Sequence, residues 1–263
     1  MTCSSLSCKL YQGDCFEWLK ELPDASVDFV CTDMPYGITD APWDCKIDLQ
    51  ALWAELKRVA KPAAAFAMFG SGKFGISLGH SNFKSYRYRY VWDKSMSNPT
   101  GFLNANRRPL TASEDILVFY EKQPTYNPQR YTPVGGGANL TYVKDRRPND
   151  TPLYGIAPRV PSVNTDGKRC PIDVLKYKPV TRSKAIHNTQ KPVDLLEFLV
   201  KTYTNEHQVV LDPFMGSGSC GVACMNTGRT FVGMEKDPKF FSIASERLQG
   251  DCPPEYSFEL FKP

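Results

Sequence analysis

The chain has 263 residues and a formal net charge of +4, with 41% hydrophobic and 23% charged residues, which is typical of a globular protein with one large core. No stretch approaches the ~20 apolar residues of a membrane span, and the N-terminus lacks the apolar run of a signal peptide, so we expect a cytoplasmic protein without a membrane partner. The nine cysteines form no CxxC pair and are accompanied by only three histidines, which indicates reduced thiols and no metal site.

The first 120 residues alternate between strand-like and helix-like segments. Short apolar runs bounded by turn residues predict strands, and apolar residues at helical spacing predict helices. Leu52, Leu56 and Val59, for example, fall on one helical face. In chain order, the sequence predicts a strand over 8–12, a helix over 15–22, a strand over 27–32, a helix over 48–60 and strands over 63–69, 86–92 and 114–120.

Residues 121–185 interrupt this alternation. Ten of the 21 prolines lie between 121 and 192, and no helix of normal length fits between these breakers. Residues 121–191 also carry thirteen Lys or Arg against five Asp or Glu, a net charge of +8, whereas the rest of the chain carries −4. A compact domain rarely keeps so long an irregular segment without a function. We interpret it as an insertion that binds a polyanion, with a solvated basic loop as the alternative.

Regular patterning returns after this insertion. Pro192 opens a segment in which leucines recur at helical spacing, and strand-like and helix-like runs follow in alternation. Strand–helix repeats of this length favour an α/β fold, with a parallel sheet covered by helices on both faces. The predicted elements are a helix over 192–204, a strand over 208–211, a helix over 218–227, a strand over 230–234 and a helix over 238–248.

The motif Asp33-Met34-Pro35-Tyr36-Gly37 follows the predicted strand 27–32. Asp33 supplies a carboxylate, and Pro35 biases Met34 away from the helical region, so that the Met34 carbonyl projects as a second acceptor. Tyr36 adds an aromatic face. Such a set can hold a flat ring that bears an exocyclic amine, with the nitrogen positioned for attack. Taken alone, the motif also fits an ordinary strand-to-turn junction.

A second motif, Asp212–Ser219, forms a Gly-rich turn between the predicted strand 208–211 and the next helix. Gly216 and Gly218 permit positive φ and leave room for a ligand against the backbone. Glu235, about twenty residues further on, stands where an acidic residue accepts hydrogen bonds from ribose hydroxyls. The glycine spacing also fits a dinucleotide turn, but Asp212 would repel a pyrophosphate and suits an ammonium group. The motif therefore predicts a nucleotide-type cofactor.

Together the two motifs resemble the catalytic and cofactor motifs of the DNA amino-methyltransferases, which methylate adenine N6 or cytosine N4. The catalytic motif comes first, as in the permuted beta class of that family. The resemblance implies a Rossmann-like, S-adenosylmethionine-dependent methyltransferase sheet that is circularly permuted. It also implies a catalytic half over 1–120, an irregular target-recognition and DNA-contact insertion over 121–185, and a cofactor-binding half over 186–263.

The resemblance identifies S-adenosyl-L-methionine as the cofactor and assigns it residues in the second motif. Asp212 and the backbone at Gly216 and Gly218 correspond to positions that flank its methionine part. Phe214 corresponds to a position that shapes the pocket, and Glu235 to the position that binds the ribose.

Two further segments complete the expected cofactor pocket. The residues before the helix at 192–204 resemble the family segment HPTQKP, with Asn188 in place of the usual Pro. This resemblance implies that Thr189 and Lys191 reach the methionine carboxylate; the alternative is that Thr189 caps the helix and Lys191 is solvated. Asp14 is expected to accept a hydrogen bond from the adenine amino group of the cofactor, unless it only belongs to a strand-end turn.

For the catalytic motif, the resemblance implies that Asp33, Met34, Pro35 and Tyr36 hold the target base. The family form is Asp-Pro-Pro-Tyr, so Met34 departs at the second position, but its backbone carbonyl is retained. Asp at position 33 favours adenine, because cytosine-N4 enzymes more often carry Ser there.

The resemblance therefore implies a sequence-specific enzyme that methylates the N6 amino group of an adenine flipped out of double-stranded DNA. Alternatives are a cytosine-N4 methyltransferase, a catalytically silent DNA-binding module on the same fold, and a dehydrogenase. For the basic segment, a homodimer interface is the alternative to DNA contact. The candidate DNA-binding residues are Arg107, Arg108, Arg130, Arg146, Arg147, Lys168 and Arg169.

Overall fold

A computed structural model describes residues 6–37, 46–95, 97, 99–133, 142–144, 162–180 and 190–262. The chain divides into two compact units, a larger one formed by Met1–Asn127 with Asp173–Pro263 and a smaller one formed by Pro128–Ile172. Each unit is described by itself. Among the described residues, no helix is long and apolar enough to cross a membrane.

The described residues form six α-helices, one short 3-10 turn (Phe102–Asn104) and eleven strands. In chain order the α-helices and strands are β1 (Leu6–Gln12), α1 (Cys15–Glu21), β2 (Val27–Thr32), α2 (Leu49–Val59), β3 (Ala60–Gly70), α3 (Gly72–Ser81), β4 (Tyr86–Asp93), β5 (Ser113–Phe119), β6 (Tyr142–Lys144), β7 (Ser162–Asn164), β8 (Val174–Lys176), α4 (Val193–Tyr203), β9 (Val209–Asp212), α5 (Ser219–Asn226), β10 (Thr230–Glu235), α6 (Pro238–Gly250) and β11 (Tyr256–Phe261).

Nine strands of the larger unit form one sheet in the order β11-β1-β10-β9-β2-β3-β5-β4-β8. Neighbouring strands are parallel, except that β5 runs antiparallel to both β3 and β4. The α/β fold with its central sheet is confirmed, but the expected all-parallel sheet is in fact mixed. Since β5 reverses direction between β3 and β4, the end of β4 and the start of β5 lie at the same edge as the ends of β2, β9 and β10.

Helices cover both faces of this sheet, because alternate side chains of each strand point to opposite sides. On β2, Phe29 and Cys31 belong to one buried cluster and Val30 to the other. The first cluster contains the buried side chains of α4, α5 and α6, and the second contains those of α1, α2 and α3. The sheet therefore separates two hydrophobic cores.

All twelve elements predicted from the sequence occur, with bounds that differ by at most three residues. Five elements were not predicted: the helix α3, the short strands β6, β7 and β8, and the strand β11. Only Gly75 and Leu78 are buried in α3, so this helix shows little amphipathic periodicity. A Cβ added at Gly75 would lie 3.5 Å from the Gly70 carbonyl carbon, so α3 packs closely on the end of β3. This packing depends on tertiary contacts, so a local sequence pattern does not predict it.

The smaller unit is built on an antiparallel pairing of β6 with β7 and on an isolated bridge between Tyr131 and Arg169. No helix occurs among the described residues between 105 and 192, in agreement with the spacing of the prolines. The strand β8 falls within the predicted insertion 121–185 but belongs to the main sheet, where it pairs with β4.

Candidate active site

A cavity of about 1420 Å³ in the larger unit opens at the edge of the sheet where the parallel strands end. Asp33 follows the end of β2, Asp212 ends the neighbouring β9, Glu235 ends β10 and Asp14 follows β1. All four side chains belong to residues that line the cavity. In open α/β sheets, ligands bind in the crevice outside the carboxyl ends of the strands. The topology thus brings the two sequence motifs, 175 positions or more apart in the chain, to one wall.

Asp33 lies in a network that we call the charged cluster, formed by Asp33, Tyr36, Lys94, Glu114 and Lys191. The Lys191 ammonium contacts the Asp33 carboxylate and lies 3.1 Å from Glu114 Oε1. The Tyr36 hydroxyl lies 2.9 Å from Asp33 Oδ1 and 3.0 Å from Glu114 Oε1. Lys94 lies 3.1 Å from Glu114 Oε2. The cluster therefore pairs two carboxylates with two ammonium groups.

The protonation states of the cluster follow from burial and from these charges. Burial raises the pKa of Asp33, and Glu114 raises it further, while Lys191 opposes both effects. Burial also acts to raise the pKa of Glu114, but Lys191 and Lys94 outweigh it and hold that pKa below its usual value. Burial acts to lower the pKa of Lys191, yet Asp33 and Glu114 raise it above the ordinary lysine value. Lys191 is therefore a permanent cation beside an Asp33 carboxyl that titrates at a raised pH.

Tyr36 combines a polar and an apolar contact. Its hydroxyl contacts the carboxylates of Asp33 and Glu114, while its ring stacks on Phe74 of α3 with centroids 4.4 Å apart. Met34 is buried, and both Met34 and Pro35 line the cavity beside Tyr36. The motif thus places an aromatic ring, fixed from behind by Phe74, next to a carboxylate at the cavity wall.

Asp212 is the buried acid of the second motif. Its Oδ1 accepts hydrogen bonds from the Thr32 hydroxyl at 2.7 Å and from the Phe214 amide at 3.1 Å. Burial is the main cause that raises its pKa to about 7, and these two hydrogen bonds only partly oppose the effect. A cation that entered the cavity beside Asp212 would favour the ionised form. Phe214 lines the same cavity.

The two glycines of the turn have different surroundings. Gly216 has a φ of +52° and lines the cavity, and a Cβ added there would meet no heavy atom within 4 Å. Gly218 has a φ of +76°, and a Cβ added there would lie 2.9 Å from a Leu248 methyl carbon and 3.3 Å from the Ala244 side chain. Gly218 is not among the residues that line the cavity. The structure therefore places Gly216 at the cavity and Gly218 against α6.

Glu235 connects the turn to the next strand. Its carboxylate accepts hydrogen bonds from the Gly216 amide at 3.0 Å and from the Asp237 amide at 2.8 Å. Burial raises its pKa, and the amides oppose this shift. Each carboxylate oxygen keeps a second lone pair, so Glu235 can still accept from a ligand.

Asp14 has a capping role as well as a place at the cavity. Its carboxylate accepts from the Phe16 amide at 2.9 Å at the start of α1 and lies 3.0 Å from the Lys236 ammonium. Burial acts to raise its pKa, but Lys236 and the Phe16 amide lower it below the usual value. Thr189, the remaining expected cofactor residue, lies outside the described residues.

The expected DNA-binding cations lie in different parts of the chain. Arg107 and Arg108 are exposed on the loop between β4 and β5 of the larger unit. In the smaller unit, Arg130 is 2.8 Å from the Asp166 carboxylate. Lys168 in that unit is exposed, and the backbone of Arg169 pairs with Tyr131. The remaining two candidates, Arg146 and Arg147, lie outside the described residues.

Sequence reasoning missed Glu114 and Lys94, although both lie in the charged cluster. The sequence predicts a strand over 114–120, but its direction was not apparent. Only the antiparallel orientation of β5 brings Glu114, at its start, to the edge where Asp33 follows β2. The available signal was a pair of carboxylates, Glu114 and Asp115, near the start of a strand that is otherwise apolar.

Comparison with known proteins identifies the family of the chain. Residues 27–246 match the family model of the N6 and N4 methyltransferases, described as DNA methylase. The chain is 28% identical over 283 residues to the type II methyltransferase M.BglII of Bacillus subtilis, with 97% of this chain and 72% of that protein covered. It is 24% identical to the type II methyltransferase M.HinfI of Haemophilus influenzae over 95% of this chain and 71% of that one.

Solved structures show the same fold. The structure of the M1.HpyAVI–SAM complex superposes with a TM-score of 0.61 at 25% identity, with 92% of this chain and 98% of that chain covered. The PvuII DNA methyltransferase, described as cytosine-N4-specific, superposes with a TM-score of 0.64 at 14% identity over 94% of this chain and 92% of that one.

Proposed function

The chain belongs to the DNA methylase family, and we propose that it methylates the N6 amino group of an adenine flipped out of double-stranded DNA. One observation carries the proposal: the two motifs line the same cavity from the ends of the neighbouring strands β2 and β9. The first motif contributes Asp33 and Tyr36, and the second contributes Asp212 and Gly216. A base held by the first pair and a cofactor held by the second would therefore meet. The cavity volume of about 1420 Å³ leaves room for both.

The methyl donor of the family is S-adenosylmethionine, and the residues at the second motif fit it. When bound, it supplies a methyl group on a positively charged sulfur. The open space above Gly216 admits a ligand against the backbone. We assign Asp212 to the ammonium group of the methionine part, because a buried carboxylate with a raised pKa is stabilised by a cation. Glu235 is assigned to the ribose hydroxyls and Asp14 to the adenine amino group.

Asp33 is assigned to the amino group of the target base. The lone pair of an aromatic amine is delocalised into the ring, so the nitrogen attacks only when it is held in a tetrahedral geometry. The Asp33 carboxylate and the Met34 carbonyl provide two acceptors for the two N–H groups. Asp33 is also placed to take up the proton that the nitrogen loses once its bond to the methyl carbon has formed. Tyr36, supported by Phe74, offers its ring to the base.

Lys191 receives a different role from the one its sequence context suggests. The resemblance assigns it to the methionine carboxylate, whereas its ammonium contacts Asp33 and Glu114. Burial disfavours the ionised form of Asp33, and Lys191 is the positive charge that opposes this effect. We therefore propose that Lys191 keeps Asp33 ionised and able to accept hydrogen bonds.

Nucleoside analysis tests the proposal. Purified protein is incubated with S-adenosylmethionine and plasmid DNA, and the hydrolysed DNA is examined by mass spectrometry. We expect N6-methyladenine with the wild-type protein and none with Asp33→Ala, while Asp33→Ala binds S-adenosylmethionine within a few-fold of wild type by calorimetry.

The outcomes separate the competing readings. N4-methylcytosine as the only product would replace adenine by cytosine as the target. DNA binding without any methylated nucleoside would favour a catalytically silent module. Methylation by Asp33→Ala at the wild-type rate would remove Asp33 from the catalytic role.

A further inference from the structure

Two large apolar side chains project from the rim of the active-site cavity. Phe102 is 62% exposed and Leu103 fully exposed, at 101%. Both lie on a single 3-10 turn, Phe102–Asn104, in the connection between β4 and β5. Scattered exposed apolar residues need no explanation, but two adjacent ones at the mouth of a binding cavity indicate a contact surface.

The segment that carries them, Thr100–Thr111, is an ordered loop that we call the rim loop. Its ends are joined by reciprocal backbone hydrogen bonds between Thr100 and Thr111, both 2.9 Å long. Within it, the Asn104 carbonyl accepts from the amides of Arg107 and Arg108 at 2.9 and 3.0 Å. The backbone therefore holds the two apolar side chains outward without their burial in the core. An ordered backbone with exposed apolar tips is suited to insertion into a partner.

The position of the rim loop follows from the sheet. Because β4 runs in the same direction as β3, its end lies at the edge where Asp33 follows β2. Phe102 and Leu103 line the cavity that also contains Asp33 and Glu114. A polymer from which a base enters this cavity can therefore come into contact with the rim loop.

Charge identifies the class of partner. Arg107 and Arg108 are both exposed on the rim loop, and neither forms an ion pair with any residue in the described part of the chain. The rim loop thus combines two unpaired guanidinium groups with two exposed apolar side chains. A nucleic acid offers the matching groups, because its phosphates are negatively charged and its bases are stacked apolar rings. Nucleic-acid-bending proteins insert Phe or Leu between bases in this way, with cations on the backbone.

We propose that the rim loop enters the DNA duplex at the target site: Leu103 and Phe102 occupy the space that the flipped base leaves, and Arg107 and Arg108 contact the flanking phosphates. This inference rests on the proposed function and names the element that stabilises the flipped state. The apolar side chains replace the stacking that the neighbouring bases lose when the target leaves, which lowers the cost of extrusion.

The decisive test compares two duplexes once the methylated sequence is known from mapping of the modified DNA. One contains the target base in its normal pair, and the other contains it opposite an abasic position, where extrusion costs less. We expect Leu103→Ala to lower kcat/KM about tenfold or more on the normal duplex and by less than about threefold on the abasic duplex. Phe102→Ala should behave in the same way.

Matched controls are available on the same unit. Leu260 on β11 is 43% exposed and Phe83 is 73% exposed, and neither lines the cavity. Leu260→Ala and Phe83→Ala should retain wild-type kcat/KM on both duplexes. A fluorescent base analogue at the target position should brighten with wild-type protein and the controls, and brighten less with Leu103→Ala.

The arginines are tested by salt dependence. The double variant Arg107→Gln and Arg108→Gln should reduce the slope of log K against log[salt] by about one to two, because fewer counterions are released. Arg87→Gln, at the opposite end of β4, is the control and should leave the slope unchanged.

Several results would overturn the inference. These are equal losses on the normal and abasic duplexes, no loss on either, or an unchanged salt slope in the arginine variant. A change from dimer to monomer in Leu103→Ala with wild-type behaviour on both duplexes would reassign the apolar tips to self-association. Absence of methylation by the wild-type protein would instead count against the proposed function, so the two failures are distinguishable.

Discussion

Glu114 determines the charge balance around Asp33. It is buried and takes part in contacts with both Lys94 and Lys191, so its removal leaves two ammonium groups with one carboxylate fewer. Breaking a buried ion pair by removal of one partner costs about 3–5 kcal/mol. We therefore expect Glu114→Gln to lower the free energy of unfolding by that order, as measured by urea denaturation.

The same substitution is expected to change the pH dependence of the reaction. The charge of Glu114 raises the pKa of Asp33, so Glu114→Gln should shift the acidic limb of the kcat profile to lower pH. The neighbouring Asp115→Asn is the control, because Asp115 forms a partly exposed pair with Arg89, and such pairs contribute about 0–1 kcal/mol. An acidic limb that stays in place in Glu114→Gln would show that Asp33 does not sense this charge.

The proposed ammonium site at Asp212 would link cofactor binding to proton release. Its pKa of about 7 in the folded protein is raised by burial, and a bound ammonium group would lower it. We expect the affinity for S-adenosylmethionine, measured by calorimetry without DNA, to rise between pH 5 and about pH 7, where the α-amino group remains charged. The binding enthalpy should then depend on the ionisation enthalpy of the buffer, and Asp212→Asn should abolish both effects. An affinity independent of pH would remove Asp212 from the ammonium site.

The raised pKa of Asp212 also has a consequence for stability. The folded protein holds this proton more tightly than the unfolded chain does, so the stability associated with it is complete below the unfolded pKa. It is lost as the pH rises through the folded value of about 7. Asp212→Asn should therefore gain stability relative to wild type at pH 8 and much less at pH 4, while it weakens cofactor binding.

At the scale of elements, the turn between β9 and α5 places Gly216 at the cavity and Gly218 in packing contact with α6. Gly216→Ala adds a Cβ in open space at the cavity, whereas Gly218→Ala adds one 2.9 Å from Leu248. Both positions have positive φ, which costs roughly 1–2 kcal/mol for an L residue. We expect Gly216→Ala to weaken S-adenosylmethionine binding about tenfold with only this loss of stability. Gly218→Ala should lose more stability by thermal denaturation and less affinity. The reverse ranking would show that Gly218 is the ligand contact.

Local sequence patterns predicted the amphipathic elements. The helix α2 is an example: Leu52, Leu56 and Val59 are buried on one side, and Asp48 caps the N-terminus through the amides of Gln50 and Ala51. The helix α3 escaped prediction because its contact with β3 depends on glycines rather than on an apolar stripe.

The same limit applies to the residues of the candidate active site. Asp33, Asp212 and Glu235 were predictable because each stands at the end of an apolar strand, and parallel strands end at one edge. Glu114 was not, since it stands at the start of a strand, and only the strand direction reveals its place. Exposed tips such as Leu103 leave no periodic signal. Residues that reach the site only because of strand order and direction can therefore be identified only from the three-dimensional structure.

For the whole molecule, the uneven charge is the feature that local patterns do not explain. Residues 121–191 carry a net charge of +8, and the remainder carries −4. Within this segment, Arg130 is already paired with Asp166, while Lys168 is exposed. A basic segment on a protein whose substrate is DNA is expected to release counterions when it binds.

Charge reversal measures this contribution. The variants Arg146→Glu with Arg147→Glu, and Lys168→Glu with Arg169→Glu, should weaken DNA binding and reduce the salt slope by about two or more each, whereas S-adenosylmethionine affinity stays unchanged. Lys20→Glu, on the exposed side of α1, is the control for an added negative charge elsewhere. If the reversals left the salt slope intact but changed the sedimentation behaviour from dimer to monomer, the segment would be a surface for self-association. The excess of positive charge would then be balanced by the partner's acidic residues rather than by phosphates.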